Sequence, residues 1–269
     1  MSYRVLNAQQ LGQFEEDGYL IVEQLFSSEE VERILCIARA DHQMAADLKP
    51  NHNYEGQGLD TIIAYRPRFG DDVYSAVGRS RRLVEPLEQL FGEEARNFYQ
   101  LETLKNPNTS GWQWHQDYGY HHREFLYPSF ISVMLALDPA TRANGCLRVV
   151  RGSKGLGRLD HLKSGSQLAA DPQRVQIALQ HLEEIHCEMA PGSALYFHGN
   201  TLHASEPNLS AQSRWAIIFA YVADSNFYVL PETPDNLRVV VDKLDDAQFE
   251  AAAQRHWERV QAQAQVQAV

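Results

Sequence analysis

The chain has 269 residues, 44% of them hydrophobic, enough for one domain spanning 1–269 with a substantial core. Its 24 basic and 35 acidic side chains leave a net charge of −11, which argues against a nucleic-acid or anionic-membrane surface. Cys36, Cys146 and Cys187 form neither a zinc-ligand pattern nor a disulfide framework. No apolar run approaches the ~18–20 residues that span a bilayer, and Met1-Ser2-Tyr3-Arg4 leads into polar sequence. The expectation is a soluble, cytoplasmic protein.

In chain order, Asn7 and Gln10 have capping-box spacing ahead of a helix carrying Leu11 and Phe14, which Asp17-Gly18 stops. Residues 19–22 read as a short buried strand. Ser27 and Glu30 repeat the capping box before a second stripe of Val31, Ile34, Leu35 and Ala38. This helix–strand–helix segment is expected to pack outside a later sheet. Residues 49–80, rich in Gly, Pro, Asn and Asp, show little periodicity and read as a loop with the makings of a lid. They carry Arg66 and Arg68, with Arg79, Arg81 and Arg82 nearby: either a clamp for an anionic substrate or a solvated face with partners such as Asp71 and Asp72. Leu83, Leu87, Leu90 and Phe91 form a further helical stripe ended by Gly92, its regular part expected to begin at Pro86. The N-terminal helical part thus covers about 1–92.

From residue 98 the pattern becomes strand-like. Stretches 98–105, 131–137, 146–150, 194–197 and 214–222 are strands bounded by turn signals such as Asn106-Pro107 and Pro191-Gly192. Residues 155–188 form a polar insertion, helical over 175–182. The tail from Asp245 to about 262 is a helix with Phe249, Ala253, Trp257 and Val260 on one side, and the Gln/Ala run from Gln261 is expected to fray. The fold class is mainly β with flanking helices, a jelly roll whose core covers about 95–230.

The stretch Trp112-Gln113-Trp114-His115-Gln116-Asp117-Tyr118-Gly119-Tyr120 sets an imidazole and a carboxylate two residues apart. In extended chain, positions i and i+2 share a face, so His115 and Asp117 can grip one metal ion with Gln116 turned away. A third ligand is needed: His203 is the candidate, with His121, His122 and His198 as competitors. Two imidazoles and one carboxylate leave three positions open, the facial triad of non-haem iron(II) oxygenases. If the chain folds back about Asn208–Leu209 as a hairpin, Arg214 comes opposite His203. Its guanidinium could then hold the far carboxylate of a diacid whose 2-oxo-acid end chelates the metal, which describes 2-oxoglutarate, with Ser205 donating to the same carboxylate.

Several of these segments together resemble the phytanoyl-CoA dioxygenase family of iron(II)/2-oxoglutarate oxygenases. They are residues 13–22 (QFEEDGYLIV), His115-Gln116-Asp117, residues 144–153 (NGCLRVVRGS), His203 and Arg214. The resemblance selects His115 and His203 from the competing histidines and implies a double-stranded β-helix with His115, Asp117 and His203 on Fe(II). It implies Arg214, helped by Ser205, on 2-oxoglutarate, and O2 as the co-oxidant. With the Asp117 carboxylate intact, hydroxylation of an aliphatic C–H is favoured over halogenation. Tyr118, Tyr120, Lys105 and Arg66 are the candidates for touching a small-molecule substrate; Lys105 could as well cap a strand end, and aromatics such as Trp112 and Trp114 could as well be packing. An aminoalkylphosphonate such as 2-aminoethylphosphonate is one candidate substrate, and an acyl-CoA, an amino-acid derivative or a natural product the alternative. A different jelly-roll metal enzyme or a non-catalytic binding module are the readings outside this class. The oligomeric state is not legible.

Overall fold

The structure, a computed structural model, describes residues 5–51, 59–164 and 167–267. Both capping boxes form as read. Asn7 and Gln10 open α1 (Ala8–Asp17), and Gly18, at φ 81°, closes it and turns the chain into β1 (Tyr19–Val22). Ser27 and Glu30 open α2 (Ser28–Ala40). After α3 (His42–Asp47), the loop expectation for 49–80 is corrected in part: β2 (Lys49–Asn51), β3 (Thr61–Arg66) and α4 (Val73–Arg79) lie within it. The expected lid falls partly on 52–58, outside the described residues.

Ser80 caps α5 (Arg81–Phe91), which begins five residues before Pro86 and not at it; the ring sits inside the helix with Leu83 and Leu87 fully buried around it. Beyond lie β4 (Ala95–Lys105), β5 (Trp112–His115), α6 (Asp117–His121), β6 (Phe130–Ala136) and β7 (Leu147–Val150). The polar insertion contains a small hairpin, β8 (His161–Ser164) with β9 (Gln167–Ala170), then α7 (Pro172–His181) and β10 (Glu184–His186). The chain finishes with β11 (Ala194–His198), β12 (His203–Ser205), β13 (Arg214–Ala223) and α8 (Asp246–Gln267), whose helical turns continue past Gln261.

Among the described residues, seven strands form the larger sheet in the order β1-β11-β6-β13-β4-β3-β2, and four form a smaller one, β10-β7-β12-β5. All pairings between these strands are antiparallel. The N-terminal segment therefore does more than pack outside: β1 is an edge strand of the larger sheet, paired with β11.

Strand alternation divides the larger sheet into two chemistries. On β13, Trp215, Ile217, Phe219 and Tyr221 pack against the helices, together with Ile34, Val77, Leu83 and Phe249. The opposite face carries Arg214, Ala216 and Ile218. There Ala216, Met134, Leu195 and Phe197 share a core with Val149 and Cys146 from the region of the smaller sheet. The fold is the double-stranded β-helix expected from the sequence, with one face of the larger sheet apolar and the other turned to a cavity.

One expectation fails on sheet assignment. His203 and Arg214 do not form a hairpin, because β12 belongs to the smaller sheet and β13 to the larger. The link between them crosses from sheet to sheet, held by the buried amide of Asn208, which donates to the carbonyls of Lys105 and Gln212. Among the described residues no helix is long and apolar enough to cross a membrane.

Phe219, fully buried between β13 and the helices, reports on this packing. Phe219→Ala is expected to lower unfolding free energy by about 3–5 kcal/mol, seen as a lower thermal midpoint.

Candidate active site

β5 ends at His115, Gln116 keeps an extended backbone (φ −124°, ψ 134°), and Asp117 opens α6. That one extra extended residue points the imidazole and the carboxylate the same way. Gln116 faces the opposite side and is fully buried. Its amide nitrogen donates to the carbonyls of Gly157 and Asn200 at 2.8 and 2.7 Å, and its oxygen accepts from the Leu159 N–H at 2.7 Å. Its own backbone N–H donates to Nε2 of His161, whose ring lies where a Cβ on Gly119 would sit, 1.9 Å away. Gly119 is thus required by close approach.

β12 brings the third ligand. His203 is the cross-strand partner of His115, and Oδ1 of Asp117 lies 3.7 Å from Nε2 of His115 and 3.5 Å from Nε2 of His203. One ligand atom from each residue lies within 4.8 Å of the others. Nδ1 of His115 faces the Gln113 carbonyl at 2.7 Å and Nδ1 of His203 faces the Thr201 carbonyl at 2.9 Å. With those N–H groups donated, the Nε2 lone pairs are left facing Asp117. Ser132 donates to the other oxygen of Asp117, leaving Oδ1 toward the histidines. Burial, and then the neighbouring His203, hold the His115 imidazole well below its usual range, in the neutral form that binds metal. Two imidazoles and a carboxylate on one side of an open space fit iron(II).

The competing histidines are engaged elsewhere. His121 pairs through Nδ1 with Glu124 at 2.6 Å, and Nδ1 of His122 lies 3.0 Å from the Gly119 carbonyl. His198 accepts from the Asn200 N–H; burial, and then Lys154, push it down to about 4.

A cavity of about 360 Å³ opens beside the three ligands. Arg214 lines it, buried, and its Nε and Nη1 have no hydrogen-bond partner among the described residues. Burial lowers it to about 10, still cationic at neutral pH. Lys105, the partner of Arg214 across β4 and β13, lines the same wall. Its ammonium donates to Oγ of Ser205 at 3.1 Å and to the Glu206 carbonyl. Burial, and then the adjacent Arg214, push Lys105 down to about 7. An unpaired buried guanidinium beside a second cation is a seat for a carboxylate.

Of the remaining candidates, Tyr120 lines the cavity, its ring stacked 5.1 Å from that of His115 and its hydroxyl donated to the Leu168 carbonyl at 2.7 Å. Tyr118 is not among the lining residues: its hydroxyl is given to the carbonyls of Phe125 and Leu126. Nor is Arg66. On β3, Thr61, Ile63 and Tyr65 face the cavity, so alternation turns Arg66 to the helix side, where it pairs with Glu102 at 3.0 Å and Asp47 at 3.4 Å. Arg79, Arg81 and Arg82 likewise pair with Asp242, Glu85, Glu30 and Asp246, so no anion clamp forms from them. Trp112 lines the cavity, whereas Trp114 lies under the Arg148 guanidinium.

Sequence reasoning missed Ser132, His161 and Glu124. Ser132 had a signal, a lone hydroxyl in an otherwise apolar strand. His161 had none, since its role depends on how the insertion folds back over Gln116.

Comparison with known proteins agrees with this geometry. The family model for phytanoyl-CoA dioxygenase matches residues 14–216. The ectoine dioxygenase of Bordetella parapertussis is 26% identical over 237 residues, 82% of this chain and 77% of that one. A probable alpha-ketoglutarate-dependent hypophosphite dioxygenase of Stutzerimonas stutzeri is 26% identical over 226 residues, 80% and 78% of the two chains. The crystal structure of EctD from S. alaskensis with 2-oxoglutarate and 5-hydroxyectoine superposes with a TM-score of 0.73 at 21% identity, covering 91% of this chain and 90% of that one. That likeness carries the fold. Fold and ligand set define a non-haem iron(II)/2-oxoglutarate dioxygenase. The chain belongs to the phytanoyl-CoA dioxygenase family.

Gln116 ties the backbone between two ligands to three distant backbone groups. Gln116→Ala is expected to weaken iron(II) binding by about 10–100-fold, measured by anaerobic titration of the apoprotein.

Proposed function

We propose that residues 1–269 work as one oxygenase domain that hydroxylates an aliphatic C–H of a small polar substrate, with 2-oxoglutarate as cosubstrate. The observation that carries this is the buried, unpartnered Arg214 on the cavity wall beside the three ligands. In this reading His115, Asp117 and His203 hold the metal, and Arg214, Ser205 and Lys105 hold the far carboxylate of 2-oxoglutarate. Iron(II) held there supplies the dioxygen chemistry of C–H hydroxylation, coupled to decarboxylation of 2-oxoglutarate to succinate. The chain's own groups seat the dianion and orient the three ligands.

The cavity volume, at the low end of ordinary ligand pockets, must accommodate cosubstrate and substrate together. That supports a compact substrate over an acyl-CoA. So do relatives named for ectoine and hypophosphite and an L-proline trans-4-hydroxylase of Streptomyces griseoviridis, 28% identical over 182 residues, 61% of this chain and 68% of that one. For an aminoalkylphosphonate such as 2-aminoethylphosphonate the support is uneven. Aromatic rings and a carboxylate suit its ammonium, but no lining arginine besides Arg214 is available for its phosphonate among the described residues. A hydrolase using the same three ligands leaves Arg214 without a purpose.

Anaerobic addition of iron(II) and then 2-oxoglutarate is expected to give a weak visible charge-transfer band, absent in His115→Ala. Arg214→Ala should raise the 2-oxoglutarate concentration needed by roughly 10–100-fold. Stoichiometric iron binding with no band at any 2-oxoglutarate concentration would remove the cosubstrate from this reading.

Lys105 adds a pH dependence. Free, it loses its proton near pH 7; a bound dianion favours the charged ammonium. Binding above pH 7 should therefore take up a proton, and affinity for 2-oxoglutarate should fall from pH 7 to 9. Calorimetry in buffers of different ionisation enthalpy measures that uptake, which Lys105→Met should abolish.

A further inference from the structure

The two ends of the cavity have opposite chemistry. Lys105 and Arg214 mark one end of the β4–β13 pair. Tyr99 lies six residues back along β4, on the same alternating face, which at ~3.3 Å per residue is roughly 20 Å away. Around Tyr99 the wall is aromatic. Tyr65, directly across from Leu101 on β3, has its ring 5.7 Å from that of Tyr99, and the His121 ring lies 5.6 Å from Tyr99 on another side. His121 is itself fixed, stacked on Phe130 and set edge-on to Phe98 at 4.9 Å.

One carboxylate faces this group. Glu124 lines the cavity and meets Nδ1 of His121 at 2.6 Å; apart from the ligand Asp117, it is the sole acid among the described lining residues. Its charge is felt by both neighbouring phenols, adding to the burial that raises Tyr65 and Tyr99 above their usual range. A carboxylate on the wall of an aromatic pocket repels an anion and attracts a cation, and ring faces add a cation–π contribution. The net charge of −11 acts in the same direction on approach.

We propose that Glu124, with Tyr65, Tyr99 and His121, forms the recognition site for a cationic head group of the substrate, a primary or N-methylated ammonium. The proposal rests on the oxygenase reading above and assigns the ends of the cavity: the 2-oxoglutarate dianion at Lys105 and Arg214, the substrate cation at Glu124. Glu124 is here a specificity residue. The hydrogen that is removed belongs to a carbon lying between the head group and the three metal ligands.

The test uses choline and its neutral carbon isostere 3,3-dimethylbutan-1-ol, which share shape and differ in charge. Each is titrated anaerobically into the full-length protein loaded with iron(II) and 2-oxoglutarate, and the shift of the visible band is followed. The expected result is at least about tenfold tighter binding of choline. In Glu124→Gln that preference should collapse toward parity. A purely structural Glu124–His121 pair would instead weaken both probes alike and leave their ratio unchanged. Equal binding of the two probes by the wild-type protein overturns the proposal, as does an unchanged ratio in Glu124→Gln. A missing band before any probe is added is a different failure, that of the oxygenase reading itself.

Discussion

The pairing of His203 with His115 across β12 and β5 is the constraint on which the metal site depends. The two residues are 88 positions apart in the chain, yet as cross-strand partners their Cα atoms are held at the fixed spacing of an antiparallel ladder. The carboxylate is added by local geometry alone, because one extended residue separates His115 from Asp117. Everything else around the ligands serves to orient them. Two backbone carbonyls fix the imidazoles, Ser132 fixes the carboxylate, and Gln116 anchors the short link that joins two of the three ligands. Ordinary hydrogen bonds thus hold all three ligands in the orientation the site requires.

The cavity wall is built against the usual preference for paired buried charge. Two nitrogens of Arg214 have no partner among the described residues, and an unsatisfied buried donor costs on the order of 1–3 kcal/mol. Lys105 lessens the repulsion by giving up its proton readily, and Ser205 and the Glu206 carbonyl solvate it when it does not. The apolar face of the same sheet offsets this, with Trp215, Ile217, Phe219 and Tyr221 packed against the helices. Stability and binding are thus drawn from opposite faces of the same strand.

Much of this was legible in the sequence where the determinants are local. The capping boxes at Asn7 and Ser27 formed because each involves residues three apart, and the His115–Asp117 pair converged because its spacing is covalent. Family resemblance selected His203, which no local rule prefers over His121 or His198, and supported Arg214, first reached through a hairpin that does not form. What failed was non-local. The supposed hairpin about Asn208–Leu209 ignored that a strand after a turn can join another sheet. For Arg66 the sequence leaves open a substrate contact or pairing with acids, because its facing depends on the register of β3 against β4. The loop expectation for 49–80 lost β3, whose β-branched residues were outweighed by polar neighbours on either side.

β13 carries a last consequence, for where this molecule can be divided. It is the middle strand of seven, paired with β4 on one side and β6 on the other, and runs from Arg214 to Ala223. The family match ends at residue 216, two residues after Arg214. A fragment cut there would keep every metal ligand and the arginine, but lose most of the strand that fixes β4 beside β6. It would also lose α8, whose Phe249 and Val260 are buried with the helix-side core. A boundary drawn just past the last of the chemistry-bearing residues would therefore cut through the central strand and leave out part of the helix-side core.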